Sequence, residues 1–328
     1  MKLRLKTLVG LFMFFFWSCV LYAQKEEVQL PEIAKEIKKM RDEDQKNRTK
    51  WAKMINSGKS ETEKFKAFTS ELIALDRANT ARMREIINEF GWPTYDLVGQ
   101  GPSNSAWLIV QHADRNPLFQ ARCLPLLKAA VDAGQANPSN YAYLYDRVQV
   151  SKGEMQRYAT QSSSNNGLYK GAFFPIEDES NVQVRREEMK ITQHVEAYAA
   201  AMGFEYVVPS KEDAQKKSAE LQEQYQRSVS TAEPLMKQGK YSEAASHYLT
   251  AVAAFGHATT ENFVQTARAL SLSEHEQSGL ATAYLLKAIV RGWNEFDPHN
   301  PDYNYLKQDS PGRWEDFLKT VDEMAIDL

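Results

Sequence analysis

The sequence predicts an all-α protein. Apolar residues recur three and four positions apart, as one face of a helix requires, and no run alternates apolar with polar residues as a half-buried strand would. Cap and stop residues bracket the apolar stretches.

The chain opens with "MKLRLKTLVGLFMFFFWSCVLYAQ". Lys2, Arg4 and Lys6 precede the apolar run Leu8 to Val20, and Ala23 supplies a small residue before a polar start at Gln24. This predicts a secretory signal peptide over 1–23, an exported, periplasmic or extracellular product, and no transmembrane segment after cleavage. The run is short for a membrane span of roughly 20 residues. The rival reading is a lipoprotein attached through Cys19; Ser18 suits it, whereas bulky Phe16 and Trp17 do not.

A helical domain is expected over 24–208. Leu30, Ile33, Ile37 and Met40 share one helical face. Ser60 and Glu63 have capping-box spacing, with Ser60 as the cap. Phe65, Phe68, Leu72, Leu75, Met83, Ile86, Ile87 and Phe90 continue the stripe, interrupted by Asp76 and Asn79. "FGWPT" then stops the helix. Ser103 is placed to cap "NSAWLIVQHAD", Asn116-Pro117 punctuates it, and "LFQARCLPLLKAAVDAG" forms the next helix, kinked at Pro125. "ANPSN" turns into "YAYLYDRVQV". Residues 160–179 are rich in Ser, Asn, Gly and Pro and predict one long polar loop or a short hairpin. "VQVRREEMKITQHVEAYAAAMG" reads as a helix ending near Gly203.

The polar stretch 209–217 is expected to be a linker into a second helical domain, 218–328. There "QGKYSEAASHYLTAV" carries Gly239, Tyr241, Ala244, Tyr248 and Ala251 in the order of the turn and second helix of a tetratricopeptide repeat. The resemblance covers about half a repeat. It departs at Pro234, and at Gly256, where proline is usual. It implies an array of helical hairpins with a concave surface for a protein or peptide partner. "TAYLLKAIVRGWNEFDPHNP" reads as a further helix ending at Asp-Pro.

Composition excludes several classes. The formal charge of −3 falls to −6 once the leader's three basic residues leave, so no nucleic-acid partner is expected. Cys123, the cysteine outside the leader, sits among apolar neighbours and reads as a small core residue. The sequence contains no phosphate-binding loop, no G-x-S-x-G, no H-E-x-x-H and no C-x-x-C. The separated His112 and His194 lack ligand spacing, so neither metal nor cofactor is expected.

Polar residues nevertheless recur inside apolar helical segments: Asp44, Gln45 and Arg48; Gln111, His112 and Asp114; Gln120; Asp146 and Arg147; Gln156, Tyr158 and Gln161; Arg185 and Arg186. Burying such a group unpaired costs about 1–3 kcal/mol, so these groups must meet each other, water or a ligand. Local explanations exist for several. Asp44 and Arg48 have i, i+4 spacing for a helical ion pair. Asp146 and Arg147 diverge and pair elsewhere. Gln156 and Gln161 can satisfy loop backbone, Arg185-Arg186 can form a solvated face, and Trp92 and Trp107 read as core.

The segments "DQKNR" (44–48), "FGWPT" (90–94), "QHAD" (111–114), "FQ" (119–120), "YAYLYDRV" (141–148), "GEMQRYATQ" (153–161) and "RR" (185–186) together resemble an uncharacterised bacterial family, domain of unknown function 6624, over about 30–203. The chain departs from it at Ala159, where glycine is more usual, and around Met189-Lys190. The resemblance marks where to look and implies no reaction.

Three functional readings follow. The first is an exported binding or adaptor protein whose N-terminal polar pocket, closed by the 153–161 loop, takes a polar small molecule. The second is a hydrolase in which His112, oriented by Asp114 or Asp146, works beside an anion-holding arginine. Within it, Asp44 and Asp146 are a candidate carboxylate pair for glycoside chemistry. The third is a purely structural domain. The pocket reading expects Asp44, His112, Asp146, Gln156, Tyr158 and Gln161 in one concavity.

Overall fold

A computed structural model describes residues 28–59, 62–163, 171–273 and 278–327. The leader, Cys19 and Ser60 lie outside them.

The first stripes form two long helices, α1 (Pro31–Asn56) and α2 (Glu63–Phe90). Thr62, rather than Ser60, caps α2 by accepting from the Phe65 N–H. A single turn, α3 (Tyr95–Val98), leads to α4 (Gln100–Gln111). Ser103 lies buried inside α4 instead of capping it, because the helix starts one turn earlier, after Gly99. The next helices are α5 (Pro117–Asp132), which continues through Pro125, and α6 (Pro138–Lys152). Asn116 and Asn137 cap them through side-chain oxygens. Helix α4 packs against α1, α2, α5 and α6. Ile37, Met83, Ile109, Phe119, Cys123, Leu127 and Leu144 form the core between them.

The polar segment after α6 makes a hairpin of two-residue strands, Ser162–Ser163 against Ala172–Phe173. The single helix expected up to Gly203 is instead two, α7 (Val182–Glu188) and α8 (Val195–Ala201). Lys190 adopts a left-handed φ of 56°, which a continuous helix excludes. Arg186 then holds the turn by donating to the Gln193 carbonyl.

The 209–217 stretch also differs from expectation. From Lys211 it forms the first turns of α9 (Lys211–Lys237), capped by Ser210. Its polarity reflects a largely solvent-facing helix, not irregular chain. Then follow α10 (Tyr241–Ala253), α11 (Thr260–Leu272), α12 (Ser278–Val290), α13 (Asn304–Asp309) and α14 (Pro311–Ala325). Helix α12 stops before Gly292, short of the Asp-Pro stop, and the chain from Trp293 to Asn300 is irregular. Helices α9 to α12 pack each on the next, with Ala232, Ala244, Tyr248, Ala267 and Leu285 in their shared core. Among the described residues, no helix is long and apolar enough to cross a membrane.

The N- and C-terminal helices meet along two seams. At one, Lys287 of α12 and Arg291 just beyond it donate to the Val150, Ser151 and Lys152 carbonyls ending α6. At the other, the Asp327 carboxylate, just beyond α14, is fully buried between Arg84, Arg122 and Asn116.

Candidate functional site

The candidate residues divide into three groups rather than one concavity. The first joins α1, α2 and the end of α4. Asp44 is fully buried on α1 and accepts from Gln45 Nε2 at 2.8 Å and Arg48 Nε at 2.9 Å. His112, at the C-cap of α4, places Nδ1 2.9 Å from Asp44 Oδ2 and also 2.9 Å from Arg48 Nε. Nδ1 cannot donate and accept at once. The guanidinium proton is drawn to the carboxylate, which leaves Nδ1–H to donate to Asp44 and Nε2 as the free base. Among the described residues Nε2 has no hydrogen-bond partner, and the imidazole side chain is 16% exposed. Burial raises the Asp44 carboxyl, but the bonds and charges of His112, Gln45 and Arg48 outweigh it and hold the group below its ordinary range.

Arg48 continues the chain to Asp76 on α2, with Nη2 2.6 Å from Oδ1. Burial raises the Asp76 carboxyl, and the nearby Asp44 charge adds to this. Asp76 was not among the sequence candidates; its interruption of the apolar stripe of α2 was the available signal. A cleft of about 150 Å³ lies against this end, lined by Asp76, Arg77, Arg84, Ala113, Arg115 and Asn116 among others.

The second group pairs Asp114 with Arg147 of α6 through two parallel bonds of 2.6 and 2.7 Å. Gln120 is buried on α5 and donates to the Val110 and Gln111 carbonyls and to Asp114. Burial raises the Asp114 carboxyl, but Arg147 more than offsets this and leaves it low. Asp114 is therefore paired with Arg147, and the carboxylate that meets the His112 ring is Asp44 rather than Asp114 or Asp146. Gln111 Oε1 and Trp107 Nε1, one turn apart on α4, are buried without a hydrogen-bond partner among the described residues.

The third group is a loop clamp. Asp146 is fully buried and accepts from the backbone N–H groups of Arg157, Tyr158 and Thr160 at 2.7–3.1 Å and from Thr160 Oγ1 at 2.9 Å. Burial pushes its carboxyl up to about 6 against these donors. Gln156 is equally buried. Its amide donates to the Gln161 and Phe174 carbonyls and accepts from the Gln161 N–H. Gln161 Nε2 reaches Thr160 Oγ1 at 3.1 Å. Tyr158 is buried, packed edge-on to Tyr145. Arg185 and Arg186, expected on a solvated face or around an anion, are buried and donate to backbone carbonyls. Arg185 holds Arg157, Glu177 and Asp178; Arg186 holds Tyr158, Ala159 and Gln193. Apart from Arg186 Nε, buried without a hydrogen-bond partner among the described residues, the hydrogen bonds of this group run among its members and the loop. Asp44 and Asp146 belong to different networks, which removes the glycoside pair.

Both departures from the family pattern fall at left-handed backbone: Ala159 has φ 50° and Lys190 φ 56°. Glycine enters that region without a Cβ penalty, which accounts for its being more usual at 159.

Among the described residues no cluster of three or more His, Cys, Asp or Glu is placed to hold a metal. Burial raises the Cys123 thiol, so it is poorly disposed to act as a nucleophile.

The model of a family described as "Family of unknown function (DUF6624)" matches residues 31–208. The matched segment holds all three groups. No curated protein and no solved structure matches the chain.

Proposed function

We propose that this chain, which belongs to the DUF6624 family of unknown function, is an exported hydrolase of a small polar or anionic substrate, with His112 as its general base. The observation that carries the reading is the imidazole itself: Nδ1 is anchored on a buried carboxylate, and Nε2 has no partner among the described residues. A base needs that arrangement. Nε2 takes a proton from water as its oxygen attacks, Asp44 stabilises the imidazolium, and the proton then passes to the leaving group. Arg48 and Arg115, about a third exposed, are the arginines best placed to meet an anion near the Asp76 cleft.

A second reading, binding without turnover, draws on Gln111 and Trp107, whose buried amide oxygen and indole N–H offer an acceptor and a donor to a ligand. In either case the repeat-like helices can serve a peptide partner. A groove of about 460 Å³ runs between α9 and α11, lined by Glu233, Met236, Tyr241, Tyr248, Gln265 and Arg268 among others.

A panel of p-nitrophenyl esters, phosphates and glycosides tests the enzyme reading. At least one is expected to be cleaved, and His112→Ala is expected to slow it by roughly 10²–10⁴-fold, the usual worth of a general base, while the protein stays folded. Equal rates in the wild type and His112→Ala, or no cleavage by either, would overturn it.

A further inference from the structure

A further cleft lies apart from His112, between the 175–180 loop and the first three turns of α9. Its volume is about 360 Å³, within the range of roughly 300–1,000 Å³ common for small-molecule sites. Met155, Pro175, Ile176, Ala214 and Leu221 give it an apolar floor. One wall comes from the family-matched segment and the other from a helix beyond it.

Both walls are fixed. The Gln156 N–H donates to the Pro175 carbonyl, the Glu177 N–H to the Gln156 carbonyl, and Arg185 holds the Glu177 and Asp178 carbonyls. Glu179 is buried, and accepts from Lys217 of α9 at 2.8 Å and Tyr206 Oη at 3.0 Å. That contact ties α9 to the loop and sets the width of the cleft without any ligand.

The rim charges are unevenly spent. Lys217 is committed to Glu179, while Asp178 accepts from Asn181, Ser180 and Arg185. Glu177 on the loop and Lys211 on the helix are exposed, and their charged atoms have no hydrogen-bond or ion-pair partner among the described residues. Arg157 and Arg185 act on the Glu177 carboxylate, and Asp178 on Lys211, only through the field at longer range, so one carboxylate and one ammonium outside any ion pair stand on the two walls of an apolar trough. We propose that this cleft binds an apolar zwitterion of dipeptide size, its ammonium against Glu177, its carboxylate against Lys211 and its side chains on the Met155–Leu221 floor.

The geometry asks both charges of the ligand to be present. Titration calorimetry of the full chain with Leu-Leu is expected to show saturable one-site binding. N-acetyl-Leu-Leu and Leu-Leu amide, each lacking one charge, are expected to bind at least tenfold more weakly. Lys211→Met and Glu177→Gln are exposed changes that leave the fold intact, and each is expected to weaken Leu-Leu by a similar factor. Ala214→Trp, which fills the floor, is expected to abolish binding. His112→Ala is expected to leave it unchanged, which separates this site from the hydrolase reading. No saturable binding of Leu-Leu would overturn the proposal, as would capped peptides binding equally well or indifference to both rim variants.

Discussion

Asp44 shows how a side chain at an unremarkable sequence position becomes the centre of a site. Its i, i+4 spacing to Arg48 was legible, but spacing alone suggests an exposed helical pair. Complete burial changes its weight. Asp44→Ala would leave Arg48 and His112 facing a lost partner, and a cost of about 3–5 kcal/mol is expected in urea denaturation, as for other broken buried pairs. Because the folded carboxyl sits low, its contribution is full above the unfolded value near 3.9 and is lost as pH falls through the folded one. Asp146 has the opposite sign. Its carboxyl is pushed up to about 6, so the folded state holds its proton more tightly, and stability falls as pH rises from about 4 towards 6. A carboxyl-carbon NMR titration should give a midpoint near 6; a midpoint below 4 would mean that the four donors outweigh burial. At Ala159 the left-handed backbone costs roughly 1–2 kcal/mol, partly offset by glycine's larger unfolded-state entropy. Ala159→Gly is therefore expected to stabilise the protein by up to about 1 kcal/mol in the same urea measurement. Asp44 and His112 were expected in one concavity, but their direct pairing was not legible, because 68 residues separate partners that only the α1–α4 packing brings together.

At the scale of elements, periodicity located the helices well, since a stripe that must face a core leaves its mark in every turn. It failed where local chemistry overrode the pattern. The α7–α8 break depends on a left-handed lysine and a buried arginine, neither of which disturbs apolar spacing. The start of α9 is polar on nearly every side and so resembles linker, yet Ser210 caps it and Lys217 anchors it. Limited proteolysis is accordingly expected to spare 209–217 relative to the irregular stretch 293–300; early cleavage within 211–217 would contradict a helix there. The clustered Gln156, Thr160 and Gln161 were legible as hydrogen-bonding groups, but not as a loop closed on itself. Spacing cannot tell a loop that binds a ligand from one that binds its own backbone.

Across the whole molecule, the boundary expected between two domains is crossed by specific contacts. Gly153 ends α6 at φ 72°, and a Cβ there would stand 2.5 Å from the Phe263 ring. Its carbonyl accepts from the Gly256 N–H at 3.0 Å. Lys287 and Arg291 close the same helix end, and the Arg291 guanidinium lies over the Phe263 ring. Burial, with Arg291 adding to it, lowers the Lys287 ammonium to about 8. Asp327 seals the second seam within three donor side chains. The two sets of helices are therefore expected to unfold in one cooperative transition by calorimetry. Gly153→Ala is expected to lower its midpoint by several degrees, because strain and clash coincide there. Two resolved transitions in the wild type would contradict this coupling. None of these contacts was legible, since each joins residues whose local sequence already has a sufficient explanation.

A general-base role for His112 requires one tautomer of its ring. Long-range ¹H–¹⁵N NMR of His112 in its neutral form, in the wild type and in Asp44→Asn, tests it most directly. A proton on Nδ1 and a bare Nε2 are expected in the wild type, with that preference lost in Asp44→Asn. A wild-type ring carrying its proton on Nε2 would contradict it.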